Sequence, residues 1–194
     1  MKLTKLFLAA VIVLTANASF AQDTNEASHT VTINIEEVAL LDLEATAGTA
    51  IILKGTAPTE AGEAVTFGDD ATNATIWINY SSIVGSTTEP ARNVSVQITD
   101  GAVPAGLKLT ALASADAGNG AGTMGEASAV LTLTVDSQDI ITGVGSAYTG
   151  DGATNGHKLT YQLGYATDAA TDYGSLDFDN SDVLTITYTL SDSL

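Results

Sequence analysis

HTVTINIEEVALLDLE, residues 29–44, holds the choice on which the architecture turns. Val31, Ile33 and Ile35 alternate with Thr30, Thr32 and Asn34, the period of two expected of a half-buried β-strand. Glu36 and Glu37 interrupt the run, and Val38, Leu40 or Leu41, and Leu43 resume it in a shifted phase. In one reading the stretch is the first strand of the chain's own sheet, and the two carboxylates mark a bulge or crossover between layers. In the other it is an arm that adds to a neighbouring molecule's sheet, with the Glu pair left in water at the join. Sheet switching is common in sandwiches, which favours the first reading. The first outcome is a self-contained domain and the second a fibre subunit.

What precedes this stretch is read as a targeting segment. MKLTKLFLAAVIVLTANASFA carries Lys2 and Lys5, an apolar run from Leu6 to Leu14, and small residues at Ser19 and Ala21. That is the charged, apolar, small-residue order of a secretory signal peptide, here residues 1–21. The apolar run is shorter than the roughly 20 residues a membrane-spanning helix needs. The expectation is a secreted or extracytoplasmic protein of bacterial type, cut after Ala21, with Gln22–Leu194 forming one domain. Residues 22–37 are either its arm or its first strand. The chain contains no Cys, so neither disulfides nor a lipidated cysteine enter the account.

Charge narrows the partners. Beyond Ala21 only Lys54, Arg92, Lys108 and Lys158 face 23 carboxylates, four minus 23, a formal net charge of −19. Such a surface repels phosphate backbones and anionic lipid, so neither nucleic acid nor stable membrane insertion is expected. Like charge also favours solubility.

Further along, alternation recurs with turn residues between the runs. Ala50–Lys54 is a short apolar run. Thr75–Ser81 places Ile76, Ile78 and Tyr80 opposite Thr75, Trp77 and Asn79. Asn93–Thr99, Leu107–Ala113, Ala127–Val135, Asp139–Val144, His157–Tyr165 and Val183–Leu190 follow, rich in Val, Ile, Thr and Tyr. Ser114–Gly125 and Gly145–Gly156 read as Gly-rich loops. Regularly spaced alternating segments predict an all-β fold, an antiparallel β-sandwich of about nine strands, immunoglobulin-like or jelly-roll-like. Each strand would bury one face and wet the other.

Catalytic signals are thin. His29 lies near an end, His157 opens a strand, and neither a G-x-S-x-G elbow nor an H-E-x-x-H helix is present. No catalytic residue is assigned, and a non-enzymatic protein is expected. DFDNSD, residues 177–182, sets oxygens at alternating positions, so Asp177, Asp179 and Asp182 are the candidate ligands for calcium. It lacks the central Gly and terminal Glu of an EF-hand loop, and Asp, Asn and Gly also serve ordinary turns. Trp77, opposite the apolar face, is a candidate glycan contact.

A small outer-membrane barrel is a third architecture. Against it, aromatics make up 6% of the chain, too few for two interfacial girdles, and several runs are shorter than a span needs.

The arm-like HTVTINI followed by VALLDLE, and the closing SDVLTITYTLSDS, resemble the N-terminal and terminal strands of chaperone–usher fibre subunits. The closing run is also similar to that of spore-coat-U-like secreted domains. The resemblance implies an incomplete sandwich completed by a neighbour's arm. Val31, Ile33 and Ile35 would then be the inserted side chains, and Leu184, Ile186, Tyr188 and Leu190 would line the acceptor. It departs from the commoner subunits in lacking their cysteine pair. The resulting expectation is a cell-surface structural or adhesive subunit that self-assembles or joins related subunits. The alternative is a lone carbohydrate- or calcium-binding module.

Overall fold

The computed structural model describes residues 25–179 and 182–193. The segment read as a signal peptide and the expected new terminus Gln22 lie outside them. Contacts divide the chain into two units, 1–34 and 35–194. Of the first unit, residues 25–34 contain no strand, with Val31 67% and Ile33 83% exposed. The fold below is that of the second.

Among the described residues nine strands make one antiparallel, unclosed sheet: β1 Val38–Ala45, β2 Thr72–Ile83, β3 Arg92–Asp100, β4 Leu107–Asp116, β5 Ala121–Ala127, β6 Leu131–Thr132, β7 Gln138–Tyr148, β8 His157–Tyr165 and β9 Thr185–Asp192. The only α-helix among the described residues is one turn, α1, Ala169–Asp172. It is capped by Asp168, which accepts the Thr171 N–H at 2.8 Å and is held below the usual carboxyl range by that bond.

The sheet runs β6-β4-β8-β2-β7-β3-β9, with β1 added to β2 and β5 to β7. The first half of β2 pairs with β8 (Ile78 opposite His157) and its end pairs with β7 (Ser82 opposite Ala147), so β2 belongs to both halves. One hydrogen bond shows that the halves face each other. β8 and β9 stand four places apart along the path, about 19 Å in a flat sheet. Yet the hydroxyls of Tyr161 on β8 and Tyr188 on β9 are 2.6 Å apart. The sheet therefore folds over on itself into a sandwich-like arrangement, as the alternation predicts.

The buried faces meet in one core that includes Ile76, Ile78 and Tyr80 of β2, Val94 and Val96 of β3, Leu109 of β4, Ile140 and Val144 of β7, and Leu159 of β8. A fully buried Ile or Val there contributes about 1.5–3 kcal/mol. Burial pushes the Tyr161 hydroxyl up to about 12 and raises Tyr188 further, so both stay protonated donors across the neutral range.

The structure corrects several sequence expectations. The first-strand reading of His29–Ile35 does not hold: these residues lie in no strand, and the first strand starts at Val38, directly after the Glu pair. The phase resolves to Leu41 and Leu43, which pack on the core, while Leu40 points to solvent. Ala50–Lys54 is not a strand either, although Ile51 and Leu53 still pack inward with Ile52 exposed.

The two Gly-rich "loops" contain strand. β5 lies wholly in the second half of one of them and its margin, and Gly145–Tyr148 complete β7. The two strands approach so closely that a Cβ on Gly122, at φ +103°, would lie 2.1 Å from the Ser146 oxygen. Glycine is thus what admits the pairing there. Ala127–Val135 shrinks to the two-residue β6, although Leu133 remains buried.

Candidate functional site

Two polar corners lie along β1, and the sequence reading identified neither. The first surrounds Arg92, the chain's single arginine, which opens β3 and is only 1% exposed. Its Nε donates to Asp192 at the end of β9 (3.1 Å). Nη1 reaches the Val38 carbonyl (2.8 Å), the Ser82 hydroxyl (3.1 Å) and the Ile83 carbonyl (3.1 Å). Nη2 pairs with Glu37 and, at 3.4 Å, with Glu89.

A buried guanidinium needs every N–H satisfied, and this one is. Backbone register explains why: Val38 stands opposite Ile83, and Arg92 opposite Asp192. Glu37, Glu89 and Asp192 gather their oxygens within 4.8 Å of one another, and among the described residues no other acidic or histidine trio does so. Asp192 and then Glu37 hold the Glu89 carboxyl above its usual range, more than the Arg92 charge lowers it. The Glu pair's role follows from this corner. Glu37 is neither a bulge nor a crossover; it ties the chain down where β1 begins.

The second corner surrounds Asn79. It lies opposite Asp42 in the β1–β2 pairing. On this outward face the next row pairs Leu40 with Ser81, and Ser81 with Tyr148. Residues 149–156, TGDGATNG, close over the strand ends. Thr149, wholly buried, exchanges bonds with the backbone of Tyr80 (N–H to Thr149 Oγ1 3.0 Å, Thr149 N–H to the Tyr80 carbonyl 3.1 Å).

Gly156 takes φ +67°, and a Cβ there would lie 2.1 Å from the Ile78 oxygen, so the loop sits hard against β2. Asn79, 5% exposed, donates its Nδ2 to the Asn155 carbonyl at 2.7 Å, and its Oδ1 has no hydrogen-bond partner. Asp42, Asn79, Ser81, Tyr148 and Asp151 line an open depression of about 490 Å³.

Between β2, β4, β5 and β8 a third polar group is internal. His157, buried, places Nδ1 2.9 Å from the Ser114 carbonyl, which can only accept, so Nδ1 carries a proton. Its Nε2 lies 2.9 Å from the Tyr80 hydroxyl, which also contacts the Met124 carbonyl. Burial, then the charge of Asp116, raises Tyr80. His157 is committed to core packing, away from solvent.

The residues singled out from sequence fall as follows. Asp177 Oδ1 accepts the Asp179 N–H at 3.0 Å, an Asx turn of the kind Asp and Asn supply to ordinary loops. Asp182 is exposed, and the three are not brought together as a carboxylate trio. Trp77 is half-buried on the outward face, opposite Glu44 on one side and Lys158 on the other, with Lys158 Nζ 6.0 Å from its ring centroid. Part of the face a sugar would stack on is therefore shared with an ammonium.

Leu184, Ile186 and Leu190 are half-buried against the core and Tyr188 is buried. All four lie in or beside β9, which pairs with β3 alone and ends the sheet. Asp192 is the last residue of β9. Val31 and Ile33, in the separate first unit, and Ile35 are exposed.

A lone arginine amid carboxylates was the available signal for the first corner. The second joins Asp42, Asn79 and Asp151, far apart in the chain, and no local pattern announces it. No family model matches the chain, and comparison with curated proteins and with solved structures returns no match.

Proposed function

We propose that the chain is a secreted, non-enzymatic subunit of a cell-surface structural or adhesive assembly, joined to its neighbours by strand addition. The observation that carries this reading is the state of residues 29–35. They alternate as a strand does, yet they form no strand, and Val31, Ile33 and Ile35 are exposed. Exposed alternating β-branched residues are costly to solvate, and an open sheet edge is what they fit.

The same chain offers such an edge. β9 is hydrogen-bonded to β3 alone, and Leu184, Ile186 and Leu190 in or beside it are only half-buried. Inserting three β-branched side chains there contributes about 5–8 kcal/mol before the cost of ordering the arm. Donor and acceptor are different surfaces of one chain, so the contact is head-to-tail and propagates as an open fibre.

The test compares the chain starting at Gln22 with one starting at Glu36, by molar mass across a dilution series and by thermal unfolding. The longer form should assemble with concentration. The shorter should stay near one subunit mass and melt at an unchanged temperature. A longer form that is monomeric throughout, or a shorter form that unfolds, overturns the reading.

A further inference from the structure

We propose that Asp42, Asp151 and the side-chain oxygen of Asn79 bind a calcium ion that pins the 149–156 loop to β1. This site is independent of the assembly reading above. Three observations converge on it.

The first is an unpartnered acceptor. Asn79 is 5% exposed, and its Nδ2 is engaged by the Asn155 carbonyl, which fixes the amide's orientation and leaves Oδ1 without a donor. A buried acceptor without a partner costs about 1–3 kcal/mol, so a native chain keeps one where something supplies the missing contact.

The second is charge. Asp42 and Asp151 are exposed at the same depression, and neither makes an ion pair among the described residues. The site therefore presents two negative charges with no counter-charge of its own.

The third is the donor inventory. Asp42 Oδ1 accepts the Leu43 N–H at 2.7 Å, which leaves Oδ2 for a ligand. Asp151 and Asn79 line the same depression, and Asn79 Oδ1 lies buried behind it as a further oxygen acceptor without a donor. The ligand must bring positive charge or donors. A hard divalent cation matches two carboxylates and an amide oxygen. Calcium tolerates such an irregular, partly hydrated shell, whereas magnesium demands near-octahedral geometry and sheds water reluctantly. A single ammonium would neutralise only one of the two carboxylates. The pairing of Asp42 with Asn79 is set by β1–β2 register, so the ion would link that pair to a loop remote in sequence.

The test titrates calcium chloride into the ¹⁵N-labelled chain starting at Gln22 and follows backbone amides. Shifts should saturate at Asn79, Gly150 and Asp151, with affinity on the order of 0.1–1 mM, as for extracellular calcium modules. Asp42→Asn and Asp151→Asn, both at exposed positions, should stay folded and weaken binding by roughly tenfold or more, because ligand charge sets affinity. The double variant Asp177→Asn/Asp179→Asn should bind as the parent does.

Three results each overturn the site: no saturable shift at these amides through the millimolar range, unchanged affinity in both single variants, or shifts centred on Glu37, Glu89 and Asp192. Magnesium producing the same shifts at the same concentration would reduce the effect to general screening, and would overturn it too.

Discussion

Glu37 and Asp42 flank Leu40 on the same stretch of chain, and the molecule treats their charges in opposite ways. At Glu37 the chain brings its own cation: Arg92 is buried and every arm of its guanidinium is engaged by acceptors from four separate segments. At Asp42 the carboxylates of Asp42 and Asp151 have no basic partner, and the buried Asn79 oxygen between strand and loop has no donor. A complete polar network specifies a structure, whereas an incomplete one specifies a need. The Arg92 corner is therefore read as architecture and the Asn79 corner as a site.

The sharpest way to break that comparison is Arg92→Met. If the corner is architectural, removing its centre leaves three carboxylates facing one another and the Val38 and Ile83 carbonyls without their donor. The expected loss is about 3–5 kcal/mol, read by denaturant unfolding, the range for breaking one partner from a buried ion pair. The three carboxylates remain partly solvated, which places the result toward the lower end. Arg92→Lys should restore little, because an ammonium cannot span Asp192, Val38, Ser82 and Glu37 from one position. A variant within 1 kcal/mol of the parent would remove the corner's structural claim.

Gly156→Ala probes the other corner. The residue is left-handed, and an added Cβ would meet the Ile78 oxygen. Backbone strain and displacement should cost about 2–3 kcal/mol. If the loop serves the site, calcium binding should weaken along with stability, because Asp151 moves with the loop. Loss of stability with unchanged calcium affinity would separate the loop from the site.

How far each corner was legible follows from how the residues are brought together. β8 was readable to its end residues, because Leu159, Tyr161 and Leu163 alternate cleanly between Gly156 and the turn after Tyr165. The cores of β2 and β3 were readable for the same reason. β5, AGTMGEA, has no alternation; it is a strand because β7 lies beside it and its glycines allow the approach. Local pattern cannot register that cause. DFDNSD was read as ligand spacing, but there local oxygens bond local N–H groups. Asp42, Asn79 and Asp151 become neighbours only through strand pairing and loop closure. At residues 29–35 the period of two predicts a strand, and none forms there.

The smallest expected effect is also the most discriminating, because it asks whether the Arg92 corner is truly self-sufficient. Three carboxylates around one guanidinium leave surplus negative charge, and Asp192 and Glu37 accordingly raise Glu89. A carboxyl whose native value lies above its unfolded value contributes stability that is present at low pH and lost as pH rises through the native value. At neutral pH, then, Glu89 is a mild liability. Glu89→Gln should melt at the same temperature as the parent or slightly higher at pH 7. That advantage should vanish once the pH falls below the ordinary glutamate range, where the parent's Glu89 is protonated in both states. Calcium should leave this difference untouched. If calcium instead erases it at pH 7, the surplus charge at Arg92 is what the ion meets, and the contrast between the two corners dissolves. If Glu89→Gln lowers the melting temperature at both pH values, the Arg92–Glu89 contact at 3.4 Å outweighs the repulsion, and all three carboxylates belong to the architecture.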